Sequence, residues 1–258
     1  MQLVLASASP ARLSVLQAAG VDPTVQVSAV DEEALIAELG AAAPDQVVTT
    51  LARAKAVDVA AGVADAVVVG CDSMLHIGGE LVGKPHTIEV ARERWVAMAG
   101  SSAELLTGHC VLRVRDGAVL AEATGVGRTV VHFASPSADE LEAYLATGEP
   151  LGVAGSFTLD GLGGWFVEAI VGDPSSVVGI GLPLLRRLLT EVGVPVHTLW
   201  ATPGATFDRN SLRSRAGTSP ALMRRRTEPG AAGGEPAWVF GAGLSTRAAG
   251  TAGAGLRP

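Results

Sequence analysis

Strands that alternate with helices, one long hairpin set among them, and helix caps at regular intervals predict an α/β fold on a mixed β-sheet with flanking helices. These signals fill residues 1–200 of the 258 and stop after Trp200. The chain therefore reads as one domain over 1–200 and an extension over 201–258.

Each element has its own warrant. Gln2–Ala6 is a short apolar strand, and Ser7-Ala8-Ser9-Pro10 then opens a helix with Ser9 as N-cap and Pro10 at its first position. Leu13, Leu16 and Ala19 recur at helical spacing, and Gly20 stops the helix. Thr24–Val30 reads as a second strand that runs into Asp31-Glu32-Glu33. A long helix follows from about Pro44 to Ala61, with Val47, Val48, Leu51 and Val59 on one face and Lys55 on that same face. Ala66–Cys71 is a continuous β-branched run of the kind that fills buried strands, with Asp72-Ser73 directly after it. Gly78-Gly79 marks a turn, Gly83-Lys84-Pro85 a tight loop, and Thr87 caps a helix over 88–99. Asp116-Gly117 joins 103–115 to 118–133 as a hairpin. Ser137-Ala-Asp-Glu140 is a capping box for a helix to about Ala146. Short apolar segments at 153–159 and 164–171 precede Gly172-Asp173-Pro174, and a last helix spans about Leu182 to Val192.

Composition narrows the function. Residues 201–258 hold eight arginines against three acids, which leaves the first 200 residues at −12 of the formal −7. An acidic body offers no basic face to nucleic acid. Of the tail's 58 residues, 27 are Gly, Ala or Pro, the signature of a low-complexity, disordered extension. No uncharged apolar run approaches the ~18 residues of a membrane span. The first residues lack the basic start and long apolar stretch of a secretion signal, so the expected compartment is the cytoplasm. Cys71 and Cys110 support no disulfide framework and show no metal spacing; they read as small buried hydrophobes. No serine-hydrolase elbow and no Walker loop is present, and the five histidines show no paired ligand spacing.

Other residues carry chemistry. Of 19 Lys and Arg, only Lys55 and Lys84 are lysines, as if lysine were kept where a compact ammonium is needed. At Ser7–Pro10, backbone N–H groups and serine hydroxyls meet where the helix dipole favours an anion, and Arg12 reaches the same anion from the first turn. A Ser-Pro helix start is also an ordinary cap, and a lysine on an apolar stripe is also an ordinary snorkelling stem. Asp72 follows a buried strand, where open α/β sheets place ligands, or else makes a strand-end turn. Asp31 and Glu32 add carboxylate oxygens suited to a hard cation held partly by substrate phosphates. Together these are the parts that an enzyme acting on a polyphosphate with a divalent metal needs.

The strings that carry these residues resemble the Maf family of nucleoside triphosphate pyrophosphatases. They are Leu5-Ala-Ser-Ala-Ser-Pro-Ala-Arg12, Val30-Asp-Glu32, Leu51-Ala-Arg-Ala-Lys-Ala56, Val69-Gly-Cys-Asp-Ser73, Gly83-Lys-Pro85, Thr107-Gly108, Ala154-Gly-Ser-Phe157, Asp160-Gly161, Gly172-Asp-Pro174 and Val178 through Leu184. They stand in the family's order over about residues 1–195, and nothing in the tail matches. The resemblance implies two lobes around a cleft, similar to inosine triphosphatase-like pyrophosphatases, and often a homodimer. It implies hydrolysis of a nucleoside triphosphate to the monophosphate and pyrophosphate with a divalent metal, Mg²⁺ or Mn²⁺, as a house-cleaning of non-standard or surplus nucleotides. By position, Asp72 looks like the proton acceptor, Ser7, Ser9, Arg12, Lys55 and Lys84 like the phosphate-binding set, and Glu32 with Asp72 like the metal's carboxylates. The base-sorting positions are Ala11, Ser73 and Asp160, where one branch shows Arg, Thr and Gln and another Trp, Gln and Glu. This chain fits neither. The acid at 160 leans toward a purine edge, since it only accepts hydrogen bonds. The alternative is a non-catalytic nucleotide-binding regulator of cell division, which would have no need of Asp72.

Overall fold

The computed structural model describes residues 1–201, and the expectation for the tail lies, Ala201 apart, outside the described residues. Seven strands form one mixed sheet: β1 (Leu3–Ala6), β2 (Thr24–Val25), β3 (Ala66–Ile77), β4 (Glu80–Val82), β5 (Ser102–Arg115), β6 (Ala118–Phe133) and β7 (Val167–Val171). The order is β2-β1-β3-β5-β6-β7, with β4 paired to the far end of β3. The pairs β1/β2 and β1/β3 are parallel and the others antiparallel. The helices are α1 (Pro10–Ala18), α2 (Glu32–Leu39), α3 (Pro44–Ala60), α4 (Ile88–Met98), α5 (Ala138–Ala146), α6 (Pro174–Val178) and α7 (Leu182–Glu191).

Strand β1 and the start of β3 are buried on both faces, which is why they are apolar throughout. Leu3, Leu5, Val67, Val69 and Cys71 pack with Leu16 of α1 and Leu185, Leu188 and Leu189 of α7. On the opposite face Val4, Val68 and Leu112 pack with Ala52, Ala56 and Val59 of α3. Helix α3 lies unusually close to the sheet there because no side chain intervenes at Gly70 and Gly108. A Cβ on Gly70 would stand 2.9 Å from Ala56 N, and one on Gly108 2.8 Å from Thr49 N. Beyond the site, the long strands carry a second core around Trp95, whose ring meets Phe133, Tyr144 and Phe166 edge-on at 5.7–5.9 Å.

The caps and turns fall as the sequence predicts. Ser9, Thr87 and Ser137 accept from the first-turn amides of α1, α4 and α5, and the capping box is complete. Asp116 and Gly117 both have positive φ, as a two-residue hairpin turn with the strands' own twist requires. Two expectations need correction, and one segment gains definition. Thr24–Val30 forms only a two-residue strand, because Asp31 accepts from Ala34 N and caps α2, a helix that the apolar spacing had not announced. Residues 153–159, a short apolar segment in the sequence, form tight turns, with Gly155 and Ser156 both at positive φ. Finally, β3 does not end at Cys71 but runs on to Ile77, so Asp72 lies inside a strand.

Candidate active site

Strand β3 pairs with β1 through Gly70 and with β4 only from Leu75, so on that edge the backbone from Cys71 to Met74 has no strand neighbour. The gap opens onto a cleft of about 790 Å³. Ser7, Ser9, Ala11, Arg12, Glu32, Lys55, Asp72, Ser73, Lys84 and Asp160 all line it, so the structure gathers every site residue expected from the sequence.

Alternation along β3 sends Asp72 toward α3 and Ser73 toward α1. Lys55, on the buried stripe of α3, places its Nζ 2.7 Å from Asp72 Oδ1 and 2.8 Å from Glu32 Oε1. The stem is not snorkelling: Lys55 is 6% exposed and Asp72 7%. Burial pushes the Asp72 carboxyl above its ordinary range, while the charges of Lys55 and Arg12 pull it back down. A carboxylate held this way is a better proton acceptor than one in water.

Arg12 is fixed from three sides. Its Nε donates to Gly179 O at 2.9 Å, Nη1 to Ser7 Oγ at 2.9 Å and Nη2 to Ser73 Oγ at 3.2 Å. Three of the five N–H donors are thus used within the protein, and two remain for a ligand. Ser7 Oγ also accepts from Ser9 N, which leaves its own proton to donate; Ser9 Oγ caps α1 through Arg12 N. Ser73 shares a hydrogen bond with Thr107, whose hydroxyl also bonds the Ser176 carbonyl. Besides standing where base-sorting was expected, Ser73 therefore holds the guanidinium.

Lys84 is exposed on the cleft wall, in a loop pinned through the carbonyl of Gly83 by Arg94 Nη1 at 2.6 Å and by Gly155 N at 3.2 Å. Sequence reasoning gave no role to Arg94, to Gly155 or to the clamp at 173–181 that holds Arg12 through the Gly179 carbonyl, although the last two overlap strings that carry the resemblance. Arg94 sits at helical spacing on α4 like any surface arginine, and only the fold turns it inward. His109 is buried on β5; it donates from Nδ1 to Thr107 O and accepts at Nε2 from Gly181 N. Burial lowers its pKa to about 4, so the ring is neutral and ties the clamp to the sheet. Cys71 and Cys110 are free and buried, with thiols pushed up to about 12 by burial, as unreactive as expected.

A divalent cation was expected at Glu32 and Asp72. Both carboxylates reach one point, the Lys55 ammonium, but among the described residues no group of three or more His, Cys, Asp or Glu is placed to hold a metal. The cleft is lined by five acids (Asp31, Glu32, Glu33, Asp72 and Asp160) against three cations. Such a donor set suits Mg²⁺ that arrives with phosphate oxygens already bound, not an ion caged by protein alone.

Comparison with known proteins gives the family. The family profile described as Maf-like protein matches residues 2–192. Among similar curated proteins, those of Rhodococcus opacus (strain B4) and Nocardia farcinica (strain IFM 10152) are 69% and 68% identical over 207 and 206 residues, which is 78% of this chain and 97% of each of them. That of Saccharopolyspora erythraea is 60% identical over 210 residues, 80% of this chain and 100% of its own length. All three are named nucleoside triphosphate pyrophosphatase.

Proposed function

The chain belongs to the Maf-like protein family, and from that premise we propose how its cleft hydrolyses a nucleoside triphosphate to the monophosphate and pyrophosphate. The convergence of Lys55 on Asp72 and Glu32, across the same cleft from Arg12, carries the reading. Asp72 accepts a proton from a water aimed at the α-phosphorus. As the water oxygen bonds to phosphorus, the bond to the bridging oxygen breaks and pyrophosphate leaves with that electron pair. Lys55 spends two protons on carboxylates and offers the third to a phosphate oxygen. The remaining N–H groups of Arg12, the hydroxyls of Ser7 and Ser9 and the ammonium of Lys84 meet the triphosphate chain, where negative charge builds on the leaving group.

Glu32 and Asp72 would hold a divalent cation, Mg²⁺ or Mn²⁺, which when bound supplies charge neutralisation to the phosphates. The net acidity of the cleft supports this, since a polyanion needs counter-charge to enter it. Ala11, Ser73 and Asp160 stand where a base would be sorted, in keeping with removal of non-standard or surplus nucleotides. No helix among the described residues is long and apolar enough to cross a membrane. Two buried free thiols support a reducing, cytoplasmic setting.

The test is pyrophosphate release from a panel of standard, methylated and deaminated nucleoside triphosphates, with and without divalent cation. Asp72→Asn, which keeps shape and removes the acceptor, is expected to lose roughly 10²–10⁴-fold in kcat. Wild-type turnover in that variant would end the assignment. Lys84→Ala should raise KM, and Lys84→Arg should rescue it only in part because a planar guanidinium on the pinned loop cannot place its charge as a compact ammonium does.

A further inference from the structure

The cleft has two chemically different walls. One carries Arg12, Lys55, Lys84 and the hydroxyls of Ser7 and Ser9. The other, formed by Phe157, Thr158, Leu159 and Asp160, bears no cation. It offers apolar surface, backbone groups and one exposed carboxylate, which suits a planar, uncharged, hydrogen-bonding group better than a phosphate.

Behind that second wall stands Glu149, which does not line the cleft. Its Oε1 accepts from Gly163 N at 3.0 Å and from Thr158 Oγ1, and its Oε2 accepts from Leu162 N at 3.1 Å. The loop closes so tightly around the carboxylate that a Cβ on Gly161 would stand 2.7 Å from Oε1 and 2.8 Å from Oε2. From the other side, Gly148 at φ +74 turns the chain, and Glu149 N donates to Thr147 Oγ1 at 3.2 Å. Among the described residues no Arg or Lys pairs with Glu149, so donors from the loop take the place of a counter-ion. Partial burial pushes the carboxyl up, but the hydroxyl of Thr158 and the two amides outweigh it and hold it below its usual range, so the charge persists at neutral pH.

We propose that Glu149 is a positioning residue: its carboxylate sets the shape of the Thr158–Asp160 wall and, through it, the discrimination among nucleobases. This rests on reading the cleft as the nucleotide site. Glu149→Gln keeps the size but turns one acceptor into an NH₂ that faces a backbone N–H or the Thr158 hydroxyl. Hydrogen bonds to a charged acceptor are among the stronger ones, so kcat/KM for the preferred triphosphate should fall roughly tenfold, almost wholly through KM. The ratio of kcat/KM between purine and pyrimidine triphosphates should move several-fold toward one. A role in folding alone would lower Tm and leave KM and the ratio in place, and that result overturns the proposal, as does a fall in kcat at constant KM. Should the Gln variant fail to fold, Glu149→Asp, which keeps the charge on a shorter arm, must shift the ratio in the same direction. A wild-type enzyme that releases no pyrophosphate from any nucleotide would refute the activity. An active wild type with unaltered Glu149→Gln kinetics would refute only the role of Glu149.

Discussion

Replacing Gly108 by alanine asks whether the close seat of α3 on the sheet sets the contact between Lys55 and Asp72. The added methyl would stand 2.8 Å from Thr49 N and nearer still to the Val48 carbonyl. Non-bonded atoms settle at roughly 3.5–4.0 Å, so the helix has to retreat by about 1 Å. Lys55 follows Val48 by about two turns of the same helix. A retreat of that size stretches its contacts of 2.7 and 2.8 Å beyond hydrogen-bond range. Overpacking of this kind costs roughly 1–3 kcal/mol. A displacement of about 1 Å in a catalytic group costs on the order of a hundredfold in rate. Urea titration should show the midpoint falling at constant slope, and a pyrophosphate-release assay should show the loss in kcat. Gly62→Ala is the control, since its methyl meets only the Gln26 amide at 3.6 Å and the Val59 carbonyl at 3.8 Å. A Gly108→Ala enzyme that turns over like wild type would refute the link between helix seating and catalysis.

Two further outcomes concern pH. In Lys55→Met the burial of Asp72 is opposed only by Arg12, so the carboxyl rises further and the acid limb of the kcat profile should move to higher pH; an unmoved limb would detach Asp72 from proton transfer. His109 is held near pKa 4 in the fold but returns to about 6.5 on unfolding. As pH falls from about 6.5 to 4 the unfolded chain binds a proton that the fold refuses, and stability should drop by on the order of 3 kcal/mol. Thermal melts across that range should show the slope in the wild type and its loss in His109→Gln.

The parts of the site that could be read from sequence are those whose local context is unusual: two lysines in an arginine-rich chain, a serine-capped helix start, an aspartate after a β-branched run. All but Lys84, which stands in a Gly-Lys-Pro loop, sit on or beside an element that the periodicity already placed. What stayed hidden depends on contacts across long stretches of chain. Nothing near Glu149 announces that residues 158–163 will donate to it, and nothing near Gly179 announces that its carbonyl waits for Arg12. Helix α2 was missed because its apolar stripe is short, Leu35 and Leu39 packing only partly buried against the cluster of Val47, Val48 and Leu51, with none of its residues fully buried. The full length of β3 was missed because Asp72 and Ser73 interrupt an apolar run that, in the fold, continues through Met74 and Leu75.

Strand β3 contributes to all four buried clusters, with Asp72 between its two halves. Its residues alternate between faces, so the catalytic arrangement is stored as parity: as far as Met74, even positions meet α3 and odd positions meet α1 or α7, while Leu75 joins the core around Trp95. A single inserted or deleted residue ahead of position 72 would exchange the two faces, turning the carboxylate toward Arg12 and the serine hydroxyl toward Lys55. Drift in this strand is thereby confined to substitution, while changes of length are left to turns such as Gly78-Gly79 and Asp116-Gly117, where no side chain of the site depends on the count.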